Sequence, residues 1–131
     1  MDMIVTFPGG LKVDADYKGF TVKTDQPESA GGENTAPSPF DLFFHSIGTC
    51  AAFYVLSFCR ERNIPTDNIR VILTTERDSE TRMVTNINID IQLPSDFPQK
   101  YGNAVKASAD KCTIKKLILN PPAFNITATI E

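Results

Sequence analysis

The side chains in this 131-residue chain best suited to nucleophilic or redox work are three thiols, Cys50, Cys59 and Cys112, and one imidazole, His45. A thiolate attacks peroxides, disulfides and electrophiles, and two thiols within reach of one another can cycle through a disulfide. Metal binding is disfavoured by spacing: Cys50 and Cys59 are too far apart for a C-x-x-C pair, and Cys112 stands alone in its segment. Taken singly, each cysteine reads first as a small core residue. Cys50 and Cys59 fall nine positions apart in one helical segment, which at about 100° per residue puts them on opposite faces. An unbroken helix therefore forbids a disulfide between them and leaves Cys50–Cys112 or Cys59–Cys112 open. Cys112 follows Lys111 at a junction before a helix start, where free N–H groups and the helix dipole favour a thiolate. Cys59 lies near a helix end beside Arg60, where the dipole works the other way, and it reads as structural. His45 is about 140° around the helix from Cys50, so it reads as a hydrogen-bonded core or interface residue and not as a base. Ser46 has no G-x-S-x-G elbow and no second histidine to serve it.

The elements that must position these groups are legible in outline. "MIVTF" and "LKVDA" flank the turn signal "PGG" and read as a hairpin, with "GFTVKT" as a third strand. The polar stretch "DQPESAGGENTAPS" reads as a long, mobile or functional loop. "SPFD" opens a helix, with Ser38 as N-cap, Pro39 at the first helical position and Asp41 completing a capping box. That helix is expected to run to about Arg62, where "NIP" stops it, and to be buried on most sides because its apolar residues cover nearly every face. "NIRVILTTERD" and "RMVTNINIDIQLP" alternate and read as a second hairpin joined at "SET". Helical spacing links Phe97, Tyr101, Val105 and Ala109, and Cys112 opens a last short helix halted by "PP". "AFNITATIE" reads as a closing strand. The predicted order is βββ-α-ββ-α-α-β, an α+β fold in a single domain over residues 1–131.

Composition narrows the function classes. At 41% hydrophobic and 22% charged residues the chain is ordinary for a globular protein. A net charge of −3 argues against nucleic acid or an anionic membrane surface as partner. The best apolar run, Phe40 to Phe58, is interrupted by Asp41, His45, Ser46 and Thr49 and is not expected to span a bilayer. "MDMIVTFPGG" does not read as a signal peptide, so the cytoplasm is the expected compartment and the cysteines are expected as reduced or redox-active thiols.

"APSPFDLFFHSIGTC", a helix ending at "R-N-I-P", two long strands and "ADKCTIKKLI" together resemble the OsmC/Ohr family of osmotically inducible and organic-hydroperoxide-resistance proteins. The resemblance covers nearly the whole chain and is firmest over 31–65 and 109–127. It implies an intertwined homodimer with the central helices buried in the middle. In the family's peroxidase branches a first cysteine attacks the peroxide and a second resolves it as a disulfide. By position these roles fall on Cys50 and Cys112. The resemblance implies no metal and no cofactor, only a thiol or lipoyl reductant to reset the pair. A substrate pocket is expected from Phe40, Asp41, Phe43, Phe44 and Phe53, suited to a small hydrophobic or peroxide substrate.

The peroxidase branches hold the attacking thiolate with an arginine from the N-terminal strands and a glutamate early in the central helix. This sequence has Leu11 and Phe40 at those positions, with Lys12 and Asp41 next to them, and no arginine before Arg60. Without that cation, burial is expected to raise the Cys50 pKa and slow its attack. The implied function is a thiol-dependent hydroperoxide reductase in oxidative stress defence. The alternative is a non-catalytic or redox-sensing protein that binds a small hydrophobic ligand.

Overall fold

The computed structural model describes residues 1–130. Its elements are β1 (Ile4–Gly9), β2 (Lys12–Tyr17), β3 (Phe20–Thr24), α1 (Pro39–Glu61), β4 (Arg70–Arg77), β5 (Val84–Gln92), α2 (Gly102–Ala109) and α3 (Thr113–Leu119), with short 3₁₀ turns at Glu28–Ala30 and Gln99–Tyr101. The chain divides into two compact units, one ending at His45 and the other beginning at Ser46.

The first unit holds an antiparallel sheet in the order β1-β2-β3. Lys18 (φ 52°) and Gly19 (φ 83°) both sit in the left-handed region, which closes the β2–β3 hairpin tightly with Tyr17 opposite Phe20. Pro8 is tolerated because β1 is an edge strand whose register shifts between Thr6 and Gly9. The polar loop after β3, expected to be mobile, is closed on itself. Asp25 is fully buried, and its carboxylate accepts hydrogen bonds from the Gln26 N–H (2.7 Å) and from the hydroxyl (2.7 Å) and N–H (3.1 Å) of Thr35. These donors, Thr35 foremost, hold the Asp25 carboxyl down to about 2 against the opposing effect of burial. An unfolded aspartate titrates near 3.9, so the closure is at full strength above about pH 4 and fades as pH falls towards 2. Gly32 is required here by space, since a Cβ would meet the Gln26 carbonyl oxygen at 2.0 Å.

Helix α1 starts where its sequence says. The Ser38 hydroxyl accepts the Asp41 N–H at 3.2 Å, and Pro39 occupies the first helical position. It ends in a Schellman motif: Asn63 adopts φ 56°, its N–H reaches the Arg60 carbonyl at 3.3 Å, and the Ile64 N–H reaches the Cys59 carbonyl at 2.9 Å. The helix is not buried on most sides of the single chain. It buries the stripe Ile47, Ala51, Val55, Phe58 and Cys59, while Phe40, Phe43, Phe53 and Leu56 remain exposed. By length and composition alone α1 is long and apolar enough to cross a membrane, a test that a buried core helix also passes. Its buried stripe nevertheless belongs to a packed protein core.

That core lies in the second unit. Val55, Phe58, Cys59, Phe97 and Val105 form it, with Ile64, Ile69, Ile91, Leu93, Tyr101 and Ala109 packed around them. The Arg62 guanidinium lies over the Phe58 ring at 3.7 Å and donates to the Phe58 carbonyl at 3.0 Å. Strands β4 and β5 pair in antiparallel register from Arg70 opposite Gln92 to Arg77 opposite Val84. Their connection is longer than "SET" alone: the Asp78 carboxylate accepts the Glu80 and Thr81 N–H groups, and Arg82 turns at φ 62°. The closing strand expected at "AFNITATIE" is absent over 121–130, and Glu131 lies outside the described residues. A strand exists only where an edge pairs with it. In the single chain Phe124, Ile126 and Ile130 are almost fully exposed instead.

Candidate functional site

Two segments of the second unit, far apart in sequence, meet at the cysteines. Cys50 is half-buried on α1, one turn after Ile47. Cys112 is buried and occupies the N-cap position of α3, with its carbonyl accepting the Lys116 N–H at 3.2 Å. Hydrogen bonding from the Cys112 side chain and from the backbone N–H groups of Ile114 and Thr113 draws the Cys50 thiol down. These N–H groups belong to the first turn of α3 and have no partner within the helix. All three cysteines are free thiols.

The electrostatic outcome reverses the sequence expectation for Cys50. Burial pushes its thiol up, but the Cys112 S–H and the Ile114 and Thr113 N–H groups together outweigh burial and hold it below the ordinary cysteine value. The helix-start donors that the sequence assigns to Cys112 are turned instead on Cys50, because the α1 thiol lies in front of the first turn of α3. Lys12, the cation next to Leu11, forms an ion pair with Glu33 at 3.4 Å within the first unit.

Cys59 has the opposite environment. It is fully buried in the core, and that burial pushes its thiol up, with the Arg62 charge offsetting only part of the effect. The structural reading of Cys59 stands, and its main cause is desolvation more than the helix dipole.

Cys112 and Ile47 both line a cavity of about 600 Å³. Its wall is aliphatic, from Ile47, Ile87, Ile89, Ile91, Ile118 and Leu119, with Lys106, Asp110 and Lys115 contributing charge. The sequence reading missed this wall. The alternation of Ile87, Ile89 and Ile91 along β5 was the available signal, since residues two apart share a face of a strand. Phe53 packs edge-on against Tyr54 with ring centroids 5.5 Å apart. Phe40, Phe43 and Phe44 lie in the first unit, where Phe44 meets Phe40 at 5.1 Å and Phe43 at 5.6 Å, both edge to face. Asp41 is exposed at the first turn of α1, and His45 is exposed in the single chain and so is not a core residue.

Fold and site define a class: a small α+β protein that brings a central-helix thiol against a second thiol at the start of a late helix. The OsmC-like protein family matches residues 32–127, and the chain belongs to that family. A solved structure from Psychrobacter arcticus, of a protein assigned to osmotic stress induction and the detoxification response, is similar with a TM-score of 0.72 and 23% identity, over 87% of this chain and 85% of that one. An OsmC-like protein from Mycoplasma pneumoniae gives 0.69 and 11%, over 92% and 87%. An organic hydroperoxide resistance protein OsmC from Legionella pneumophila gives 0.52 and 17%, over 90% and 89%. No protein of curated function matches the chain by sequence.

Proposed function

We propose that the chain is a thiol-dependent hydroperoxide reductase whose redox centre is Cys50 with Cys112. The observation that carries this reading is the half-buried Cys50 of α1 beside the start of α3, which buried Cys112 caps and where the Tyr54 and Thr113 hydroxyls lie 3.0 Å apart, with hydrogen-bond donors from Cys112, Thr113 and Ile114 holding the Cys50 thiol down. Such donors stabilise a thiolate at the position where attack must begin. The Cys50 thiolate attacks one peroxide oxygen; an S–O bond forms, the O–O bond breaks, and the alkoxide leaves and takes up a proton as the alcohol. The Cys112 thiol gives up its proton and attacks the sulfenic sulfur; the S–S bond forms, the S–O bond breaks, and hydroxide leaves as water. Two thiols are oxidised to a disulfide while one peroxide is reduced. An external dithiol or lipoyl reductant then restores both thiols by exchange. Three free thiols and this chemistry suit a reducing compartment such as the cytoplasm. Stopped-flow oxidation with cumene hydroperoxide tests the reading: consumption by a Cys50→Ser variant at the wild-type rate would sink it.

A homodimer is part of the same proposal. Phe40, Phe53 and Leu56 on α1 and Phe124, Ile126 and Ile130 at the C-terminal end are apolar and exposed in one chain, and a second copy would cover them. Sedimentation as a monomer at micromolar concentration would contradict this.

The 600 Å³ aliphatic cavity supports a second reading, a non-catalytic or redox-sensing protein that binds a small hydrophobic ligand beside Cys112. Copurifying ligand in native mass spectrometry, together with no peroxide consumption, would favour it over the first.

A further inference from the structure

The dithiol contact depends on how the first turn of α3 is held against α1. Cys50 and Tyr54 are four residues apart on α1, so their side chains share a face one turn from each other. The Tyr54 hydroxyl lies 3.0 Å from the Thr113 hydroxyl. Thr113 is the first residue of α3, immediately after Cys112, and hydrogen bonding from its backbone is one of the influences that lower the Cys50 thiol. Phe53 packs edge-on against the half-buried Tyr54 ring, with centroids 5.5 Å apart. One hydroxyl pair thus ties together the residue that follows Cys112 and the residue one turn beyond Cys50.

We propose that Tyr54 is a positioning residue for the dithiol: its hydroxyl, paired with that of Thr113, keeps the first turn of α3 docked so that the Thr113 and Ile114 N–H groups point at the Cys50 sulfur. Tyr54 touches neither sulfur in this role. It acts through Thr113. The proposal rests on reading Cys50 as the nucleophile, and it adds the device that keeps that thiol activated. The Tyr54 ring also packs on Phe53, so a simple loss of activity on replacing Tyr54 would say little. The test must read the state of the thiol itself.

The experiment is iodoacetamide alkylation of the full-length reduced protein as a function of pH, with the Cys50 adduct followed by peptide mass. Tyr54→Phe removes the hydroxyl and keeps the ring. It is expected to move the Cys50 alkylation midpoint to higher pH and to slow alkylation at pH 7 about fivefold, the scale of one net hydrogen bond. Thr113→Val removes the same pair from the other end and should reproduce the shift, while Thr113→Ser restores the hydroxyl and should return the profile to that of wild type. If Tyr54→Phe fails to fold by circular dichroism, the Thr113→Val and Thr113→Ser pair carries the test. An unchanged midpoint in Tyr54→Phe overturns the proposal, and so does failure of Thr113→Ser to rescue. Hydroperoxide consumption is measured separately. Wild type that consumes none while Tyr54→Phe still shifts the profile ends the peroxidase reading and leaves the positioning role standing.

Discussion

Cys59 sits in the last turn of α1, fully buried among Val55, Phe58, Phe97 and Val105, and burial pushes its thiol up. Cys50, nine residues earlier on the same helix, is also pushed up by burial, yet three donors reverse the result. The two thiols have the same intrinsic chemistry. They differ in what lies opposite each face of the helix. One face meets a hydrocarbon core, which offers a sulfur nothing to accept. The other meets the open end of α3, whose first N–H groups have no partner in their own helix. Desolvation alone makes a buried cysteine inert, whereas desolvation combined with aimed donors makes it a candidate nucleophile.

The sharpest way to break this contrast is to exchange the sulfur for oxygen at each site. Cys50→Ser is expected to lower hydroperoxide consumption on the order of a thousandfold or more, because a serine hydroxyl does not ionise there. Cys59→Ser is expected to leave the rate constant unchanged. Equal losses at the two positions would erase the distinction.

Cys112→Ala comes next in size. It removes both the resolving thiol and the S–H donor, so turnover with a dithiol reductant should fall while a slower single attack on peroxide persists. Mass spectrometry should then find Cys50 as sulfinic acid, the product of a sulfenic acid that no neighbour captures. Clean disulfide formation in that variant would show that another thiol resolves Cys50.

Cys59→Ser should register in stability instead. Placing a hydroxyl in an apolar, fully buried site costs about 1–3 kcal/mol unless it finds a partner. The thermal midpoint should drop by several degrees, on the order of 4 °C per kcal/mol for a domain between the small and mid-sized classes. A midpoint equal to that of wild type would mean that the core around Cys59 holds a polar partner.

The smallest effect is a matter of pH. Cys50 is lowered and Cys59 raised from the ordinary thiol value, so native-state alkylation should label Cys50 at lower pH than a free cysteine and Cys59 only at higher pH. Reversal of that order would overturn the account of both environments.

Much of the scaffold was legible because its signals are local. Ser38, Pro39 and Asp41 mark the start of α1 through contacts within one turn, and "RNIP" marks its end through the left-handed Asn63. The turns at Lys18-Gly19 and after Asp78 follow from residues beside them. The closing strand failed for the complementary reason: alternation in "AFNITATIE" reports that a segment can be a strand, while a strand forms only where it pairs with an edge, and residues 121–130 pair with none. The aromatic pocket expected from the phenylalanines of α1 was a composition argument. Which side chains surround a cavity depends on which elements face each other, and around Cys112 those are the isoleucines of β5 and the residues of α2 and α3.

By itself the sequence determined the elements from β1 to α3, their order and the opposite faces of Cys50 and Cys59 on one helix, and its resemblance to a known family pointed to the pairing of Cys50 with Cys112. Helical periodicity and capping are properties of neighbouring residues, and they survive any rearrangement of the rest. The sign of the Cys50 ionisation was decided only by the tertiary structure. Sequence offered an absent arginine and an apolar helix, and both argue for an inert thiol. The fold brings Thr113 and Ile114, more than sixty positions away, to the Cys50 sulfur. Hydrogen bonding acts over a few ångströms, so its donors can be known only once the chain has folded.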